Sequence, residues 1–124
     1  MLKNRLMVST DVSRLTGLEC GELVLETGLT YNGITPVRIR ATKREGRFEF
    51  SDGGGAVAAA GVDPKRLDFP DRVGIDKYAV NVSRRGVVWL PGFARSKQQW
   101  LAQLPGLVAR GSLALHEALL ELED

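Results

Sequence analysis

The segment from Val37 to Gly55 constrains the fold most. Val37, Ile39 and Ala41 alternate with Arg38, Arg40 and Thr42, and that two-residue period belongs to a strand with one buried face. Arg47-Phe48-Glu49-Phe50 repeats the pattern, with both phenylalanines inward, so Lys43 to Gly46 reads as the connecting turn. Ser51-Asp52-Gly53-Gly54-Gly55 then stops the strand, and Ala56 to Ala60 has the composition of a helix that closes at Gly61. A hairpin running into a glycine corner and then a helix demands a sheet with something packed on it.

The flanking sequence extends this plan. Ser9-Thr10-Asp11 is a helix N-cap cluster for a short first helix, and Glu22 to Thr27 alternates as a strand. Asn32-Gly33 is a tight hairpin signal. Asp63-Pro64 opens a short helix and loop, with Asp63 as its cap. Tyr78–Val82 and Val87–Leu90 form a second hairpin about Ser83-Arg84-Arg85-Gly86, with Pro91-Gly92 as its terminator. Ser96 to Gln99 matches a capping box before a helix that buries Trp100, Leu101 and Leu104. Pro105-Gly106 is expected to kink or split that helix, and Gly111 or Ser112 to break it again. Leu115, Leu119 and Leu122 stripe the final segment. The expected architecture is α+β: a mostly antiparallel sheet of about five strands, packed helices and a helical C-terminus. At 124 residues, residues 1–124 are expected to form one domain.

Function classes fall away by inventory. Cys20 is the sole cysteine, which excludes an intramolecular disulfide and a cysteine zinc site. His116 is the sole histidine and reads as a surface or partly buried helix residue, not as part of a triad. No apolar run suits a signal peptide or a membrane span, so a cytoplasmic protein without membrane contact is expected. The glycine corner lacks the spacing of a nucleotide-binding loop, and no cofactor and no catalytic residue is assigned. Asp52 is a candidate helix cap or metal ligand. An enzyme of the metal-dependent, nucleic-acid-processing kind would centre on Asp52 with Glu49.

Charge supplies the candidate binding surface. Net charge is +2, yet Arg38, Arg40, Lys43, Arg44 and Arg47 crowd one hairpin, with Arg84 and Arg85 at another turn. Such a face could follow a phosphate backbone or meet a protein partner. Trp89, Phe93 and Trp100 are read as core aromatics, with an interface anchor as the alternative.

From Ile34 to Asp124 the order of elements resembles a bacterial and phage family known as domain of unknown function 1828. The resemblance is carried by Ile34-Thr35-Pro36, the paired strands, Ser51-Asp52-Gly53-Gly54, the small-residue helix ending at Gly61, the Tyr78–Leu90 hairpin and the leucine-rich end. It implies a bacterial or prophage origin and brings no activity. The expected function is a non-catalytic binding or regulatory module contacting protein or nucleic acid. The alternatives are the Asp52-centred enzyme and a homo-oligomer using the C-terminal helices.

Overall fold

The computed structural model describes residues 21–69, 73–75, 80–93 and 98–122. The expected first helix, Cys20, Tyr78 and the Ser96-Lys97 half of the capping box lie outside these residues.

Among the described residues, six strands form one antiparallel sheet: β1 (Gly21–Tyr31), β2 (Thr35–Arg44), β3 (Arg47–Ser51), β4 (Val73–Ile75), β5 (Val80–Val82) and β6 (Val88–Phe93). Their spatial order is β1-β2-β3-β6-β5-β4. Helix α1 (Gly55–Ala59) follows β3, a 3₁₀ turn spans Pro64–Arg66, and helix α2 (Gln98–Leu122) ends the described chain. The fold is α+β, as the alternation requires.

The hairpin turns obey local chemistry. Asn32 and Gly33 both take positive φ, 54° and 73°, and Ile34 N–H donates to the Tyr31 carbonyl. The next turn corrects one expectation. β2 continues through Lys43 to Arg44, and the turn is the two-residue pair Glu45-Gly46, with φ of 51° and 77°. Lys43 therefore continues the inward series Val37, Ile39, Ala41; it is buried, with Nζ 5.3 Å from the Phe48 ring centroid.

Pro91-Gly92 does not terminate β6. Glu49 pairs with Pro91, Phe48 with Gly92 and Arg47 with Phe93, whereas the recorded rungs to β5 use Val88 and Trp89. Gly92 is required by packing: a Cβ there would lie 3.1 Å from both Leu101 Cδ2 and Leu104 Cδ1.

α2 is one continuous helix through Pro105, Gly106 and Gly111, contrary to the expected splits. Its buried positions, including Leu101, Leu104, Val108, Ser112, Leu115 and Leu119, recur at helical spacing against the inward faces of the strands. That burial on both sides of Pro105 outweighs the lost backbone hydrogen bond, a penalty of about 3 kcal/mol. α1 and α2 touch each other and pack on the same sheet face. The outward residues of β1, β2 and β3 are uncovered by any described helix.

Candidate functional site

The Asp52 corner is a buried joint between four elements. Asp52 follows Phe48 and Phe50 in the inward phase and is 6% exposed. Its Oδ1 accepts from the N–H groups of Gly54 (2.8 Å) and Val88 (3.0 Å). Its Oδ2 accepts from Ser112 Oγ (2.7 Å) and from Ala56 N–H (3.4 Å). One carboxylate thus ties the end of β3 to the start of α1, to β6 and to the middle of α2.

The chain of hydrogen bonds continues. Ser112 has one hydroxyl proton, committed to Asp52, so the Tyr31 hydroxyl donates to Ser112 Oγ at 2.5 Å. The Tyr31 ring lies 5.1 Å from the imidazole of His116, whose Nε2 is 3.3 Å from Asn32 Nδ2. An amide nitrogen donates, so Nε2 accepts. His116 is 2% exposed, more deeply set than its place on a helix suggests. Burial pushes the Asp52 carboxyl above the usual carboxylate range, opposed by its bonds from Ser112, Gly54, Val88 and Ala56. Burial also raises the Tyr31 phenol to about 12, with the Ser112 bond lowering it and the Asp52 charge raising it.

This accounting leaves the glycine corner nothing to offer an anion. Gly53 N–H donates to Ser51 Oγ, Gly55 N–H to the Asp52 carbonyl, and those of Gly54 and Ala56 to the Asp52 side chain. A cleft of about 360 Å³ flanks the corner, lined in part by Tyr31, Arg38 and Ala58. The polar atoms of Tyr31 and Asp52 are satisfied within the protein. Glu49 stands in the outward phase and Asp52 in the inward phase, so the two carboxylates do not meet. Among the described residues, no group of three histidine, cysteine or acidic side chains could hold a metal ion.

The basic residues are divided by the fold. Arg38 pairs with Glu26 directly across β1 at 2.9 Å, and Arg40 Nε lies 3.8 Å from Glu22. Arg84 pairs with Asp68 at 3.0 Å. Arg85 Nη1 donates to the carbonyls of Lys65 (3.1 Å) and Leu67 (2.7 Å), so the second turn fastens the 65–68 loop. Lys43 lies on the opposite, helix-covered face, which corrects its place among the outward cations.

Arg44 and Arg47 remain. They oppose each other across the β2–β3 ladder, and neither makes an ion pair among the described residues. Like charges directly opposite are unfavourable. They border an open cleft of about 580 Å³ whose wall includes Glu49, Trp89 and Pro91. Trp89 is half-buried and pairs in register with Ser51 and Asn81, on the side of the sheet away from α2. The sequence reading places it in the core, with an interface anchor as the alternative. The missed signal is phase: Val88 is buried, so its neighbour faces the other way.

No family model, curated protein or solved structure matches the chain.

Proposed function

We propose that this protein is a non-catalytic binding or regulatory module whose working surface is the outward sheet face around Arg44, Arg47 and Trp89. The observation that carries the reading is an arginine pair that makes no ion pair among the described residues, beside a half-exposed tryptophan, on a face that no described helix covers. Two like charges held side by side cost stability, and an anionic partner group would relieve that cost. The polar joint at Asp52, by contrast, is consumed by structure. α2 spends its apolar stripe on the sheet, leaving Leu120 (37% exposed) as its one large exposed hydrophobic among the described residues, which gives a helix-mediated homo-oligomer little support. The resemblance to the domain of unknown function 1828 family is compatible with a bacterial or phage binding protein and adds no chemistry.

A photo-crosslinking residue placed at Val24 or Glu49 probes the outward face, and one at Ala58 or Arg110 probes the helical side. All four positions are exposed. Adducts in native cells are expected from the outward pair alone. Adducts from the helical pair alone would sink the reading.

The second reading, nucleic-acid contact, rests on Arg44 and Arg47 as phosphate ligands. The pairing of Arg38, Arg40 and Arg84 with acids counts against an extended phosphate track.

A further inference from the structure

The face around the cleft is charged but balanced. Each of Arg38 and Arg40 has a glutamate of β1 beside it, and Arg44 and Arg47 share their cleft with Glu45 and Glu49. Four arginines thus face four glutamates. A polyanion presents a charge at every repeat and would meet these acids along with the arginines. A peptide can present one acid between Arg44 and Arg47, which on this face make no ion pair among the described residues. Next to that place the wall turns apolar, at Trp89 and Pro91. Outward rungs on a strand recur every ~6.8 Å. Arg47, Pro91 and Trp89 occupy successive outward rungs of β3 and β6.

Accepting the outward face as the working surface, we infer that its cleft takes a segment of a protein partner carrying a carboxylate adjacent to an apolar side chain. The carboxylate lies between the guanidinium groups of Arg44 and Arg47, where it removes their mutual repulsion and gains charge-assisted hydrogen bonds. The apolar neighbour covers Pro91 and the exposed edge of Trp89, the kind of aromatic that anchors interfaces. Glu45 and Glu49 act against wrong partners by repelling a second acid.

The test uses the full chain, isotopically labelled, with the Trp89 indole N–H signal identified by its loss in Trp89→Phe. The probes are the blocked peptide acetyl-Leu-Glu-Pro-Leu-amide, its glutamine analogue and single-stranded dodecathymidylate. The glutamate peptide is expected to move the signal saturably and the glutamine analogue to bind about tenfold more weakly. In Arg44→Gln/Arg47→Gln the two peptides should become indistinguishable; both sites are exposed, and the same spectrum verifies the fold. Equal binding of the two peptides to the native chain overturns the inference, as does silence of the Trp89 signal with every probe. Tighter binding of dodecathymidylate at the same signal also overturns it, yet leaves the outward face standing as the working surface. Outward-face crosslinks that never form would instead remove the premise.

Discussion

Ser112 is the residue on which the buried joint turns. It gives its proton to Asp52 and receives one from Tyr31, so truncating it leaves a carboxylate oxygen short of a donor and a phenol without an acceptor. Ser112→Ala should therefore cost about 1–3 kcal/mol in urea unfolding, while Tyr31→Phe, which leaves the Ser112–Asp52 bond intact, should cost about 1 kcal/mol. A Ser112→Ala cost no larger than that of Tyr31→Phe would deny the joint its role. Tyr31 also carries a pH signature. Its phenol is raised from 10.0 to about 12 in the folded chain, so the neutral form is the one the fold prefers. The resulting stability is complete below about pH 10 and is lost as pH climbs through about 12. The decline amounts to about 2–3 kcal/mol, the cost of charging a buried phenol, and is separate from the cost of Tyr31→Phe at neutral pH. Unfolding measured from pH 9 upward should show that decline in the native chain and not in Tyr31→Phe.

At the scale of elements, periodicity told most of the story. The alternation of Val37, Ile39 and Ala41 placed β2 and its buried face correctly, and all three are fully buried. Lys43 was misread because a charged residue beside Arg44 and Glu45 looks like turn, although the same alternation already placed it inward. The glycine of Glu45-Gly46 was the available signal for a two-residue turn. α2 was misread for the opposite reason. Pro105 and Gly111 are breakers by local propensity, and only contacts distant in sequence explain why the helix persists. The joint itself was half legible: Asp52 could be read as a cap, but Tyr31 and Ser112 meet across 81 positions, a distance no local pattern spans. Gly111 gives the element-scale prediction. A Cβ there would stand 2.5 Å from Val80 Cγ2 and 3.3 Å from Val88 Cγ1, so the helix needs glycine to reach β5 and β6. Alanine would gain about 1 kcal/mol in helix propensity, yet crowding in a packed core costs about 1–3 kcal/mol. Gly111→Ala should lower the unfolding free energy; a rise would show that α2 yields there freely.

The whole molecule is a sheet with two unlike faces. One is closed by α1 and α2 and sealed at the Asp52 joint; among the described residues it contains no buried side-chain polar atom without a partner. Among the described residues the other is uncovered by a helix, polar and nearly charge-neutral, with Arg44 and Arg47, which make no ion pair there, at one end. That distribution limits what the described part of this face can offer a nucleic acid. Affinity for duplex DNA falls with salt in proportion to the phosphates neutralised, with a logarithmic slope of about −0.9 per contact. If Arg44 and Arg47 alone are available, the slope should be about −2. An arginine track recruiting Arg38, Arg40, Arg84 and Arg85 as well would give about −5. Fluorescence anisotropy with a labelled duplex at several salt concentrations separates the two. Arg44→Glu/Arg47→Glu should abolish whatever binding exists, whereas Arg84→Glu should leave the slope unchanged because that side chain is held by Asp68. A steep slope that survives the Arg44 and Arg47 substitutions would mean that the Glu22 and Glu26 ion pairs open to release their arginines, and that the face is built for a polyanion after all.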